Sequence, residues 1–201
     1  DSQAKKIPFS LDRVPAELKT IKNLPGKHHW LNMLATVKVA ELLAIPKNEY
    51  IFHLNGYKPL RHRCEVVDCD SAITIINDSK ATNPESTMCA LDCYKEPIWL
   101  ICCGEDKQLD LTSLAQKITE KVKGLIVFGE IATSLIYAVR VLSNDITILA
   151  CENIEQATEK AFEQATASEV ILFSPSSSSL DQFKSFEDRG NRFIASVESH
   201  V

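Results

Sequence analysis

The sequence predicts an α/β fold: a mostly parallel sheet with one antiparallel strand, helices on both faces, and a helical segment in front of it. Three observations carry this. From His62 onward, short apolar runs alternate with amphipathic helical stretches. That alternation, at this spacing, makes parallel strands joined by covering helices. The first two runs are separated by only a few residues, too few for a crossover, so they pair as an antiparallel hairpin at one end of the sheet. Ahead of His62 the alternation is missing, which places a domain boundary near residue 61 and divides the chain into 1–61 and 62–201.

Taken in order, residues 1–24 show no clear period, and Pro25-Gly26 is a turn signal. Trp30, Met33, Val37 and Ala40 then form one stripe, widened by Leu31, Leu34 and Leu42. This predicts a helix over 27–44, ended by Pro46. A short helix over 47–54 follows, and Asn55-Gly56 turns the chain. Strands are expected at 65–69, 73–77, 98–102, 125–128, 146–149 and 170–174. The helix after Asp110 buries Leu111, Leu114, Ala115, Ile118 and Val122, with Asp110 as N-cap. Asn153 with Gln156 gives a capping-box-like start to a helix carrying Ala157, Ala161 and Ala165.

Composition narrows the class. The 201 residues are 45% hydrophobic and 24% charged, as in an ordinary globular protein, and suffice for one large domain or one domain plus part of another. The net charge of -5, with no basic patch, argues against nucleic acid as partner. No apolar run approaches the ~20 residues that span a bilayer. Seven cysteines, an odd number, without a signal peptide point to a reducing, cytoplasmic setting in which thiols act as small buried hydrophobes. No Cys-x-x-Cys pair or nearby histidine completes a zinc set, and His28 and His29 lack partners at metal-ligand spacing, so no metal ligand is expected. The chain opens at Asp1 without an initiator Met, and a fragment is expected.

Chemistry belongs in the loops that leave the carboxyl ends of the strands. The first is Asp78-Ser79-Lys80-Ala81-Thr82-Asn83-Pro84, where Asn83 caps and Pro84 opens the next helix. A helix N-terminus with Lys80 and the Thr82 hydroxyl beside it suits a carboxylate or phosphate; the same residues also serve a plain polar turn. Asp78 is placed to hold Lys80 or to meet a metal or a ribose. The second loop, Gly104-Glu105-Asp106-Lys107, offers another cation. The third, Ser174 to Asp181, offers hydroxyls and backbone N–H groups around Ser179. Singly, the second and third read as solvated loops. Together, Lys80, Lys107 and Ser179 face one cleft suited to a small dianion with two separated carboxylates. Arg63, at the domain junction, suits a phosphate or a boundary ion pair.

These runs carry a resemblance. Asn77-Asp78-Ser79-Lys80-Ala81-Thr82-Asn83-Pro84-Glu85-Ser86-Thr87 with Ala90-Leu91 is similar to the most characteristic segment of the Mur ligase family, in its D-glutamate-adding branch. Ser174-Pro175, Ser179-Leu180-Asp181-Gln182-Phe183, Phe186-Glu187, Arg189-Gly190 and Phe193 resemble its closing segment. His62-Arg63 with Glu65-Val66-Val67, and Gly26 with His28 and Asn32, fit two weaker motifs, and the match runs from about residue 20 to the C-terminus. The resemblance implies a Rossmann-like C-terminal domain over 62–201 that binds the amino acid. It makes 1–61 a helical remnant, the C-terminal part of a central ATPase domain. The implied activity is a bacterial, cytoplasmic ligase of peptidoglycan precursor synthesis. In that family ATP phosphorylates the carboxylate of UDP-N-acetylmuramoyl-L-alanine, and the amine of D-glutamate attacks the acyl phosphate. By match, Thr82 and Lys107 hold one D-glutamate carboxylate, and Ser179 with the backbone near Phe186 holds the other. Asn32, Arg63 and Asp78 contact ATP, and Lys80 and Arg63 serve the reacting groups.

ATP and Mg²⁺ are then cofactors of the full-length enzyme, none is expected to bind this fragment tightly, and a monomer is expected. The sequence has no G-x-x-x-x-G-K-[ST] loop, and the family's carbamylated lysine and magnesium ligands are expected upstream, so the isolated chain is expected not to turn over ATP. Some positions depart from the pattern: His29 for an asparagine, Cys103 and Gln108 for glycines, Arg61 for a proline, and Ser176 to Ser178 for a small apolar and cysteine stretch. Two other readings stand beside this one: a folylpolyglutamate synthase-like ligase, which lacks the Asp-Ser-Lys-Ala-Thr-Asn run, and a non-catalytic glutamate-binding module derived from a ligase.

Overall fold

The computed structural model describes residues 6–21, 27–57 and 60–201. The expected Pro25-Gly26 turn and the side chain of His28 lie outside the described residues. The chain divides into two compact units, Asp1–Pro59 and Leu60–Val201.

The first unit is helical. A 3₁₀ turn at Leu11–Arg13 leads to α1 (Ala16–Lys19), α2 (Lys27–Leu42) and α3 (Lys47–Gly56). Val14, Leu18 and Ile21 meet Met33, Leu34 and Val37 of α2 in a small core, with Trp30 and Tyr50 against it. The expected stripe is therefore the buried face, with one correction: Leu42 is 62% exposed. It sits in the last turn of the helix. The helix stops at Leu42 because Ala44 swings to φ 55°, letting Ala44 N–H bond Glu41 O and Ile45 N–H bond Ala40 O. That is a Schellman ending built on alanine. A second correction concerns Asn55-Gly56, which does not turn the chain. α3 runs through both, and the Asn55 amide donates back to Ile51 O.

The second unit is a six-stranded sheet in the order β1-β2-β6-β3-β4-β5, with β1 (Glu65–Val66), β2 (Thr74–Asn77), β3 (Ile98–Cys103), β4 (Val122–Phe128), β5 (Thr147–Ala150) and β6 (Val170–Ser176). β1 is antiparallel to β2, and every other pairing is parallel. Side chains along the strands alternate between the two faces of the sheet. Leu100, Leu125, Val127 and Leu172 face α4 (Pro84–Leu91), α5 (Thr112–Lys121) and α6 (Ile131–Leu142). Ile101, Ile126, Phe128 and Phe173 face α7 (Ile154–Gln164) and α8 (Phe186–Glu198). Period-2 alternation with both faces buried gives the continuous apolar runs read from the sequence.

The hairpin at the sheet edge is shorter than expected. β1 stops at Val66, because Asp68 and Asp70 are poor strand formers, although Val67 N–H still bonds Ile75 O. β4 starts three residues earlier than expected. Its Gly124 pairs with Trp99, whose indole lies over the glycine. Asp110 is not the N-cap of α5: Leu111 occupies that position, and the Asp110 carboxylate accepts from Thr112 N–H at 2.9 Å. Asn153 does cap α7, accepting from Gln156 N–H at 2.9 Å, while the Gln156 side chain returns to Glu152 N–H. β6 runs on through Pro175 to Ser176, with a register shift against β3 between Ile101 and Cys103. Proline has no N–H for the ladder, so the strand bulges there.

Candidate functional site

The three loops singled out in the sequence leave β2, β3 and β6, and β6 lies between the other two. They emerge side by side from the carboxyl edge of one parallel sheet, where α/β proteins bind ligands.

The β2 loop is fixed from its first residue. Asp78 is buried, its Oδ1 accepting from Cys64 N–H at 3.1 Å and its Oδ2 from the Ser174 hydroxyl at 2.7 Å. The bulge at Pro175 aims Ser174 this way, and its carbonyl also accepts from Thr87 Oγ1. Burial pushes the Asp78 carboxyl up to about 6. The Cys64 thiol, against Cys93 and Asp78, is held protonated, chiefly by its bond with Cys93 and then by burial. Thr82 is half-buried, one residue before Asn83, whose side chain caps α4 by accepting from Ser86 N–H at 2.8 Å with Pro84 in the first turn. Lys80 is half-buried, its N–H bonded to His62 O and its ammonium 4.5 Å from the centre of the Phe186 ring. The structure thus brings Lys80 and Phe186 together.

His62 lies beneath them. It is buried at φ 62°, and burial pulls its imidazole below the usual histidine range. Asn77 fixes the tautomer. Asn77 Oδ1 accepts from Ser79 N–H, so its amide nitrogen donates to Gly190 O and to His62 Nδ1 at 2.9 Å. The proton of the neutral ring is then on Nε2. Gly190 is required: a Cβ there would stand 2.3 Å from His62 Nδ1. Arg63 is exposed. Asn32, in the first unit, is exposed on α2.

The β3 loop carries Lys107 on a braced turn. Asp106 Oδ1 accepts from Gln108 N–H at 2.8 Å, closing the turn around Lys107, and Gln108 takes φ 54°. A glycine is what the resemblance implies at 108, and glutamine here adopts the conformation that glycine favours. Lys107 itself is exposed. The β6 loop crosses over this one: Glu105 N–H bonds Ser178 O at 3.0 Å, and the Ser177 and Ser178 hydroxyls donate to Glu105. Ser179 is buried, its carbonyl accepting from the Gln182 and Phe183 N–H groups. Phe186 opens α8 behind the Ser185 cap, in the turn where helix N–H groups have no intrahelical partner.

The residue that ties all three loops was given no role from the sequence. Arg189 is fully buried. Its Nη2 donates to Ser79 O at 2.8 Å, its Nε to Ser79 Oγ at 3.1 Å and its Nη1 to Ser177 O at 3.0 Å. Nη1 also approaches Cys103 Sγ at the end of β3. Ser79 Oγ in turn donates to Phe186 O. The signal was present: Arg189 shares one helical stripe with Phe186, Phe193 and Val197, and an arginine on an apolar stripe is buried only when it has partners. Asn77, Ser79, Glu105 and Asp106 were likewise given no role, since short polar residues in a loop have no period to betray them.

The loops at this edge therefore carry Lys80 and Lys107, the hydroxyls of Thr82 and Ser179, and two helix N-termini. Residue types of this kind suit an anion through charge and N–H donors. Among the described residues, no three His, Cys, Asp or Glu side chains are grouped to hold a metal ion. All seven cysteines are free thiols, but only Cys102 and Cys103 are fully buried and Cys89 is exposed, so the expectation of uniformly buried thiols is corrected.

Comparison with known proteins agrees with this geometry. Residues 62–177 match the family model described as "Mur ligase, glutamate ligase domain". Among curated relatives, the UDP-N-acetylmuramoylalanine–D-glutamate ligase of Pelotomaculum thermopropionicum is 38% identical over 85% of this chain and 37% of its own length. That of Bacillus cytotoxicus is 35% identical over 92% of this chain and 41% of its own length. The chain thus spans about two fifths of the length of these relatives. Among solved structures, the UDP-N-acetylmuramate-alanine ligase of Thermotoga maritima is similar with a TM-score of 0.67 and 17% identity, over 88% of this chain and 39% of that one. The bifunctional folylpolyglutamate synthase/dihydrofolate synthase of Yersinia pestis is similar with a TM-score of 0.61 and 17% identity, over 90% and 40%. At such identities the structures share only the fold, and the folylpolyglutamate synthase-like reading gains nothing more from them. The parallel sheet and a family model covering more than half of the residues agree, and the chain belongs to the Mur ligase family.

Proposed function

We propose that this chain supplies the amino-acid acceptor site of an ATP-dependent ligase that joins D-glutamate to UDP-N-acetylmuramoyl-L-alanine. The observation that carries the proposal is the placement of three loops, bearing Lys80 with Thr82, Lys107 and Ser179, on adjacent strands at one sheet edge, joined through Arg189. The printed names of the relatives, shared across 85–92% of this chain, supply the substrates. Residues 62–201 form the C-terminal domain and 1–61 the C-terminal part of a central ATPase domain.

In this reading the uridine-linked carboxylate is activated as an acyl phosphate at the expense of ATP, and the D-glutamate amine attacks its carbonyl carbon. The C–N bond forms, the C–O bond to phosphate breaks, and the amine loses a proton. Lys107 and Thr82 grip one carboxylate of D-glutamate. Ser179 and the N–H groups opening α8 at Phe186 grip the other. Lys80, steadied over the Phe186 ring, offsets the charge that develops at the reacting groups. Exposed Arg63 and Asn32 suit the nucleotide. Asp78, assigned to ATP by the resemblance, is also engaged with Cys64 and Ser174, so it sets the path of its own loop as well. The sequence contains no P-loop, and among the described residues no three His, Cys, Asp or Glu side chains are grouped to hold a metal ion. The enzyme so described works as a monomer in the bacterial cytoplasm; no helix of the described residues is long and apolar enough to cross a membrane.

The test is ADP release by the full-length protein, dependent on both D-glutamate and UDP-N-acetylmuramoyl-L-alanine. Lys107→Ala is expected to raise the D-glutamate KM about tenfold to a hundredfold and leave the ATP KM unchanged, since one charge-assisted contact is lost. Equal effects on both constants refute the role of Lys107. Nucleotide turnover that ignores D-glutamate refutes the function, and binding of D-glutamate without turnover favours a non-catalytic module.

A further inference from the structure

The Lys107 loop and the Ser179 loop, already bonded to each other through Glu105, Ser177 and Ser178, are each also fastened to a third element that neither the sequence motifs nor the proposed chemistry uses: the N-terminus of α6. Four contacts converge on it. Ile131 N–H bonds Gly104 O at 2.9 Å, at the start of the Lys107 loop. The Glu130 carboxylate accepts from Asp106 N–H at 3.3 Å, and the Ser134 hydroxyl donates to Asp106 Oδ2 at 2.6 Å. From the other side Asp181, two residues after Ser179, accepts from Glu130 N–H through Oδ2 at 3.3 Å. Gly129 leaves room for this grip: it takes φ 76°, and a Cβ there would stand 2.5 Å from Asp181 Oδ2. Asp181 Oδ1 is buried with no hydrogen-bond partner among the described residues.

We propose that Asp181 and Ser134, acting through the α6 N-terminus, are positioning residues that fix the span between the two carboxylate-binding loops and so select an acceptor of glutamate length. This rests on the acceptor-site reading above. Asp106 is gripped twice on one carboxylate, by Ser134 on Oδ2 and Gln108 N–H on Oδ1, so its rotation is stopped and the turn bearing Lys107 is stopped with it. Asp181 stops the Ser179 loop against the same helix end. An acceptor shorter by one methylene cannot reach both loops while the clamp holds. Once the clamp is loosened, the Lys107 turn and Ser179 can pivot about the Glu105–Ser178 contacts that remain, and the discrimination falls.

The experiment uses the full-length protein with Ser134→Ala, which removes one hydroxyl from a half-buried position, and Asp181→Ala as the stronger variant. Expected for Ser134→Ala is a D-glutamate KM raised about threefold to tenfold, the size of one ordinary hydrogen bond and less than the direct loss of the Lys107 contact, with the ATP KM unchanged and the thermal midpoint within about 2 °C. The ratio of kcat/KM for D-glutamate over D-aspartate is expected to fall. In a Lys107→Ala background the Ser134→Ala change should have no further effect on KM, because the group it positions is gone. Hydrogen exchange at the Gln108 amide should quicken in both variants while amides of β3 and β4 stay as they were. An unchanged D-glutamate preference, or equal rises in the two KM values, overturns the proposal. Should wild-type protein show no D-glutamate-dependent turnover, the functional reading falls, and the exchange rate at Gln108 still decides whether the clamp exists.

Discussion

Two residues show how much chemistry one position can hold. Gln108 closes the Lys107 turn at φ 54°, where a Cβ is strained by about 1–2 kcal/mol and glycine is not. Glycine adds conformational freedom to the unfolded chain worth about 0.5–1 kcal/mol, so the two effects nearly balance in favour of the folded state. Gln108→Gly is expected to stabilise the chain by about 0.5–1 kcal/mol, raising the thermal midpoint by about 1–4 °C. A lower midpoint would show that the glutamine side chain is needed there. Asp78 gives a pH signature. Its carboxyl ionises near the ordinary 3.9 when unfolded but is pushed up to about 6 by burial in the fold. Between those values the folded chain binds more protons than the unfolded one, so stability falls as pH rises. The contribution is complete below about pH 4 and lost as pH passes through about 6, a change of about 3 kcal/mol. In Asp78→Asn this slope should vanish, so the midpoint of wild type measured against that variant should drop between pH 4 and 7. A constant difference would mean the carboxyl ionises normally.

At the scale of elements, α8 does the joining. It enters the sheet's second face through Phe193 and Val197, and the same stripe delivers Arg189 to the loops of β2 and β6. Arg189→Met leaves Ser79 O and Ser177 O buried without their donor, at about 1–3 kcal/mol each, so a loss of about 2–5 kcal/mol is expected in urea unfolding. Lysine should not rescue it, because a point charge cannot span three acceptors in a fork. A loss under 1 kcal/mol would sink this account. The elements themselves were largely legible, since alternation of period 2 and amphipathic stripes depend on burial alone. The misreadings have local causes. The start of β4 was hidden because Lys123 and Gly124 carry no strand signal, and only the Trp99 ring across the ladder makes glycine acceptable. The extension of β6 was hidden because Pro175 reads as a stop, whereas a bulge absorbs it. Asn55-Gly56 read as a turn, but the Asn55 side chain found a helix carbonyl instead.

At the scale of the molecule, the described residues of the first unit form one small cluster around Leu18, Met33 and Leu34, while the second packs both faces of a sheet. The proposed acceptor site lies in the second, and these 201 residues contain no G-x-x-x-x-G-K-[ST] loop to hold ATP phosphates. The 201-residue chain alone, supplied with ATP and both substrates, is therefore expected to release no phosphate. Turnover at the rate of the full-length protein would contradict the division of labour proposed here.

The sequence by itself determined the alternation that makes a parallel sheet, the cap at Asn83, and the two runs that mark the family, because hydrophobic period and local capping are written in neighbouring residues. Tertiary structure alone decided that the three loops leave adjacent strands and that Arg189, Asp181 and Ser134 fasten them. Strand order and buried side-chain partners join residues as far apart as Ser79 and Arg189, and no short-range pattern encodes a contact over that separation.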